Sequence, residues 1–194
     1  MTKEEFVSRL EALIAEYNER KPDIAFGKFT DPRDGRTYKT VQIGSQTWLA
    51  ENLAFDYAGS KCYEDDLERA EENGRLYDWE TAQKACPEGW HIPTDKEWQQ
   101  LFDFVGDNPG KKLKAKDGWE DGGNGTDDFG FSALPGGYSD GSSFDDVGDV
   151  GFWWSATENG TYNAWCRYMY SGNANVFRYN YNKSNLHSVR CVQD

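Results

Sequence analysis

Tyr162, Asn163, Trp165, Arg167, Tyr168 and Tyr170 are followed closely by Asn173, Asn175 and Phe177, then by Tyr179, Asn180, Tyr181, Asn182 and Ser184. These are the side chains of recognition. Tyr and Trp offer large, rigid, amphipathic contact area at small entropic cost, while Asn, Ser and Gly hydrogen-bond adaptably. A core strand would be richer in Val, Ile and Leu, and a solvated face richer in Lys and Glu. Residues 159–193 hold no Asp or Glu, in a chain that carries 34 of them. The chemistry indicated is binding, and these residues are the candidate ligand contacts.

Reaction chemistry has fewer candidates. Cys62, Cys86, Cys166 and Cys191 show no metal-site CxxC spacing. A nucleophilic thiol needs a lowered pKa and a positioned partner. Arg167 is next to Cys166, which on a strand puts it on the opposite face. His91 and His187 follow Trp90 and Leu186 in strand-like stretches and read as structural. The acidic runs 117–128 and 140–149 could offer oxygens to Ca²⁺, whose loops also need Gly for tight turns. Neither has EF-hand spacing, and solvated loops are the competing reading. Trp48, Trp90, Trp98, Trp119, Trp153 and Trp154 read as core rather than as sugar-stacking platforms. No catalytic residue and no metal ligand is assigned.

Composition narrows the partner. The chain of 194 residues fits one domain. Hydrophobic residues make up 37% and aromatics 15%, so rings must supply much of the packing. The net charge is -13, and Arg167, Arg178, Lys183 and Arg190 give residues 159–193 a charge of +4, leaving -17 on the rest. Nucleic acid is excluded, since phosphate neutralisation needs clustered Lys and Arg. A protein or a cell-surface polymer remains as ligand. No stretch approaches the roughly 20 apolar residues of a membrane span. The first residues lack a charged region followed by an apolar one, so the expectation is a cytoplasmic start or a leaderless route, such as release with a phage particle.

Several elements must position these residues. Thr2 and Glu5 form a capping box, after which Phe6, Leu10, Leu13, Ile14 and Tyr17 recur at helical spacing over residues 3–20. Lys21-Pro22 ends that helix, which is expected to pack on the body rather than to pair with a second copy. Thr37–Ile43 and Gln46–Ala50 read as strands joined at Gly44-Ser45. Asp78 can cap a helix running to Cys86, and Thr94 with Glu97 opens another that carries Trp98, Leu101, Phe102 and Val105. Residues 106–151 read as loop because Gly punctuates them. Strands are expected again at Phe152–Ala156, Ala164–Tyr170, Asn175–Tyr181 and His187–Val192. On the last three, alternate side chains face one way, so Tyr168, Tyr170 and Trp165 cannot share a face unless the backbone is irregular.

Ordered phrases carry a family resemblance: Asp31-Pro32-Arg33-Asp34-Gly35-Arg36-Thr37-Tyr38, Gln46-Thr47-Trp48-Leu49-Ala50-Glu51-Asn52-Leu53 and Gly74-Arg75-Leu76-Tyr77. Cys86-Pro87-Glu88-Gly89-Trp90-His91-Ile92-Pro93-Thr94, Gly130-Phe131-Ser132-Ala133-Leu134-Pro135-Gly136-Gly137, Trp154-Ser155-Ala156-Thr157-Glu158 and Ser188-Val189-Arg190-Cys191-Val192 continue the series. Together they resemble the FISUMP, or major paralogous domain, family of bacterial proteins over residues 29–194, with residues 1–28 left as helix and linker. That resemblance implies an α+β chain of the C-type lectin-like fold, in the branch of the formylglycine-generating sulfatase-modifying enzymes. It is loop-rich, with a short antiparallel sheet and two central helices. It also implies that Cys86 and Cys191 meet, either as a disulfide or as two buried thiols, and that Cys62 is free. Cys166 is the one residue that favours an enzyme of that branch.

Residues 159–185 resemble, in addition, the variable segment of diversity-generating retroelement proteins. There, mutated template adenines turn Asn codons into any NNY codon. Tyr168, Tyr170, Asn173, Asn175, Phe177, Tyr179, Asn180, Tyr181, Asn182, Cys166 and Arg167 are all writable in this way. Trp165, Met169 and Lys183 are not, and the resemblance makes them scaffold. The implied function is non-catalytic binding through a diversified surface. An undiversified surface or adhesive protein is the alternative, and an enzyme comes third.

Overall fold

Capping side chains set the helices. The computed structural model describes residues 1–20 and 24–194, without the side chains of residues 14–20. Helix α1 spans Lys3–Arg20, and Thr2 and Glu5 exchange backbone and side-chain hydrogen bonds at its start. The expected stop at Lys21-Pro22 lies outside the described residues. All side chains from Met1 to Leu13 are exposed, so this half of the helix does not pack on the body as expected, while the side chains of Ile14 and Tyr17 lie outside the described residues. Both hydrophobic clusters are closed without any residue from its described half.

Helices α2 (Leu67–Asn73), α3 (Trp79–Ala85), α4 (Asp95–Val105) and α5 (Pro109–Leu113) follow. Asp78 accepts a hydrogen bond from Thr81 N at the start of α3. Thr94 and Glu97 complete the capping box of α4, which buries Trp98, Leu101 and Val105. Sequence pattern had indicated neither α2 nor α5. Of α2's residues only Ala70 is buried, and α5 is a single turn begun by Pro109.

The strands form two sheets. The first takes β1 (Ala25–Thr30), β2 (Thr37–Ile43), β3 (Gln46–Leu49), β5 (Trp90–His91) and β12 (Val192–Gln193), in the order β1-β2-β3-β12-β5. The second takes β4 (Leu76–Tyr77), β8 (Val150–Glu158), β9 (Asn163–Tyr170), β10 (Phe177–Asn182) and β11 (His187–Ser188), in the order β10-β9-β8-β11-β4. β6 (Gly136–Ser139) pairs with β8 and with β7 (Phe144–Val147). The β2–β3 hairpin turns at Gly44-Ser45, where Gly44 takes a positive φ of 61°. β1 starts ahead of residue 29, is almost wholly exposed and offers no alternation to read.

Two expectations are corrected. His187–Val192 is not one strand but two short pieces, one in each sheet, because Val189, Arg190 and Cys191 carry the chain between them. Nor is the sheet purely antiparallel, since β6 and β11 both run parallel to β8.

β8 divides the core. Phe152 and Trp154 belong to one cluster and Trp153 to the other, so this strand is buried on both faces. The crossing segment is tied on each side. Cys191 is disulfide-bonded to Cys86 at the end of α3. Arg190, fully buried, donates to Leu49 O, Phe131 O, Ser132 O and Asn52 Oδ1. Asn52 Oδ1 also accepts from Trp153 Nε1 at 2.8 Å, and its amide donates to Asn73 O. Burial lowers the Arg190 pKa to about 9, which leaves it charged at neutral pH.

His91 makes a smaller tie at the chain's end. Its Nδ1 lies 2.6 Å from Asp194 Oδ1 and its Nε2 2.8 Å from Glu97 Oε1. Burial pulls its pKa down, but the hydrogen bonds and charges of Glu97 and Asp194 outweigh that and raise it above 6.5. A raised folded pKa gives stability that is full below 6.5 and is lost as pH rises through the folded value. His91→Gln is therefore expected to lower the melting temperature at about pH 5.5 and to match the parent by about pH 9. Melting curves across that range measure this, and a difference independent of pH rejects it.

Candidate ligand-binding surface

Alternation and register sort the recognition residues by face. In β9–β10, Phe177 pairs with Tyr168, Tyr179 with Cys166 and Tyr181 with Ala164. In β8–β9, Phe152 pairs with Tyr168 and Val150 with Tyr170. Tyr168, Tyr170, Phe177, Tyr179 and Tyr181 thus share one face with Phe152. Trp165, Arg167, Asn180, Asn182 and Asn163 lie on the other. Both strands are regular through this stretch, so the limit on Tyr168, Tyr170 and Trp165 holds.

The ring face is a ladder. Tyr168 and Phe177 have centroids 5.1 Å apart at 22°, Tyr170 and Phe177 5.7 Å at 27°, and Phe152 and Tyr168 5.3 Å at 32°. The two Phe177 pairs are offset stacks, and the Phe152–Tyr168 pair is tilted. Burial first, then neighbouring Tyr170 and Cys166, raises the Tyr168 pKa. Burial and Cys166 push that of Tyr181 to about 12. These phenols are protonated donors at neutral pH. Behind them His187 is fully buried, stacked 4.1 Å from Trp154, and burial lowers its pKa to about 3. It is a neutral structural ring.

The reverse face is an ion-pair cluster. Arg167 Nη1 lies 2.6 Å and Arg178 Nε 2.9 Å from the two oxygens of Asp95, the first residue of α4. The Arg178 guanidinium covers Trp165 at 3.2 Å from its centroid. Arg167 is only 2% exposed. Its assignment as a ligand contact is corrected, because its charge is committed to Asp95 and its side chain packs beneath the sheet. Trp165 is also corrected in part, since Arg178 occupies its ring face.

The ends of the hairpin carry the remaining candidates. Asn173 Nδ2 donates to Tyr170 Oη at 3.1 Å, and Asn175 N donates to Asn173 Oδ1. At the opposite end Ser184 donates to Asn182 Oδ1, and Tyr162 is 76% exposed. Lys114 anchors the link between the strands. This buried ammonium donates to Tyr170 O, Ser171 O and Asn173 O, and burial followed by repulsion from Lys111 lowers its pKa. Gly110 permits the close approach, since a Cβ there would collide with Asn175 O.

The other chemical candidates are placed plainly. Cys166 is buried, and burial pushes its pKa to about 12. Cys62 is a buried free thiol that accepts from Arg75 Nη1. In the acidic runs, Asp127 accepts from Ser132 and Asp140 from Ser142 and Ser143, as turn residues do. Among the described residues no three His, Cys, Asp or Glu side chains gather for a metal. Among those residues, too, no helix is long and apolar enough to cross a membrane.

Compared with known proteins, residues 41–193 match the family model described as the Fibrobacter succinogenes major domain. No curated protein and no solved structure matches the chain.

Proposed function

The chain belongs to the Fibrobacter succinogenes major domain family, and on that premise we propose that it binds a ligand without catalysing a reaction. The observation that carries this is the ring ladder over Tyr168, Tyr170 and Phe177. Its side chains are held before any ligand arrives, so little ordering entropy opposes binding. Tyr179, 53% exposed, and Tyr162 extend it to solvent. The ligand class we favour is protein. A sugar ring packs on an aromatic face, and Phe177 already stacks against both Tyr168 and Tyr170. The ladder's combination of rings and phenol hydroxyls suits the mixed polar and apolar surface of a polypeptide. An enzyme reading is disfavoured because the Cys166 thiol is sealed and protonated.

We further propose a C-type lectin-like arrangement and a diversified surface. Support for the first comes from the bond between the end of α3 and the last crossing, with β12 inserted between β3 and β5. Support for the second comes from the coincidence of codon and packing. Met169 is buried, Lys183 bonds Glu158 over Trp79, and Trp165 lies under Arg178. These three are the residues an NNY codon cannot write. Cys166 and Arg167, though writable, are buried and drop out of the variable set. A near-repeat of the coding sequence for 159–192, differing at adenines beside a reverse transcriptase gene, separates this reading from a fixed adhesive surface. A repeat differing equally at all bases rejects it.

Panning a displayed random peptide library on the full chain tests the binding reading. Selected peptides are expected to lose about tenfold in affinity with Tyr179→Ala. Phe26→Ala, on exposed β1, should change nothing. Binders indifferent to Tyr179→Ala, or binding only of polysaccharide probes, would overturn the proposal.

A further inference from the structure

We propose that α1 pairs antiparallel with α1 of a second copy of this chain. Phe6, Leu10 and Leu13 are 53%, 46% and 55% exposed, with Val7 beside them at 42%. Their spacing of four and three is that of a coiled-coil seam. An apolar stripe left in water is unfavourable by roughly 25 cal/mol for every Å² it could bury, and a lone helix of 18 residues is marginal. The stripe therefore calls for an occupant. A membrane surface fits poorly: interfacial helices carry Lys and Arg on the polar face, whereas this one has Glu4, Glu5, Glu11, Glu16 and Glu19 against Lys3, Arg9 and Arg20, on a chain of charge -13.

A second copy fits by sequence position. Continuing the same spacing, Tyr17 takes the next seam position, and Glu16 takes the flank position one heptad after Arg9. In an antiparallel pair the seam sets Leu10 against Leu13 of the second copy and Phe6 against Tyr17 of the second copy. Flank positions then meet like with like, so Arg9 faces Glu16 of the second copy, and the two-fold repeats the contact. A parallel pair would set Arg9 beside the Ile14 position. It would also place two acidic bodies at one end. The antiparallel pair separates them along a helix of about 27 Å, well beyond the Debye length of about 8 Å at physiological salt.

Sedimentation equilibrium on the full chain tests this. A dimer of twice 22.1 kDa is expected at tens of micromolar, and Leu10→Asp should return the 22.1 kDa monomer. Arg9→Glu and Glu16→Arg should each weaken association by about tenfold, through lost pairs and new like-charge contacts. The double exchange should restore it to within about threefold. Near-ultraviolet circular dichroism should show the body unchanged in all of them. A chain still monomeric at about 200 micromolar overturns the proposal. So does a dimer that Arg9→Glu leaves unaffected, because that dimer uses another register or surface.

Discussion

Arg190→Met is expected to lower unfolding stability by about 3–5 kcal/mol, through the buried acceptors it leaves without a donor. Arg190 is fully buried, and its guanidinium gathers Leu49 O, Phe131 O, Ser132 O and Asn52 Oδ1 from two separate segments, 49–52 and 131–132. Met fills much of the volume but donates nothing. The acceptors are left short of partners, at about 1–3 kcal/mol for each one truly orphaned. Trp153 Nε1 still reaches Asn52 Oδ1, which limits the loss there. In a chain of this size the change should appear as a melting point lowered by roughly 6–20 °C. Arg190→Lys keeps the charge but not the planar fork, and should recover less than half. Urea titration with the slope monitored measures both. A loss under about 1 kcal/mol for Arg190→Met would show that these carbonyls are satisfied without it.

How much of this was legible depends on how local each cause is. Helix α4 could be read because Thr94 and Glu97 fix its start and Trp98, Leu101 and Val105 its buried stripe, all within 12 residues. The β2–β3 hairpin was equally local. β12 was not, since Val192 pairs with Trp48 from the far end of the chain, and no local pattern announces a partner so distant. The candidate site divides the same way. Composition pointed to the β9–β10 hairpin, and alternation alone separated Tyr168 and Tyr170 from Trp165. Arg167 was misread because a writable arginine in an acid-free segment looks like any exposed one. Its parity with Met169 was the available signal, as both lie beneath the sheet. Asp95 and Lys114 were missed for a different reason. Asp95 looks like an ordinary first-turn acid, and Lys114 stands near Lys111, Lys112 and Lys116, a run that reads as solvated until a chain 56 residues on closes over it.

The disulfide carries the second large effect. Replacing Cys86 and Cys191 together by Ser is expected to lower stability by about 4–5 kcal/mol, on the chain-entropy account of a closed loop near 100 residues. The bond here closes 105 residues, including α4, α5, β5 to β11 and with them the whole recognition hairpin. Releasing it gives the unfolded chain more freedom and exposes more surface on unfolding, so the denaturant slope should rise as the midpoint falls. The native surface should change little, because the β8–β9–β10 ladder and the Lys114 clamp do not run through the sulfurs. Hydrogen exchange in β9 and β10 should therefore accelerate only by the loss of global stability. Reductant added to the parent should reproduce the double variant, and added to the double variant should do nothing. If reductant leaves the parent's melting curve unmoved, Cys86 and Cys191 are held as two thiols, and the crossing between the sheets rests on Arg190 and on the backbone hydrogen bonds from Leu49 N to Cys191 O and from Leu53 N to Val189 O.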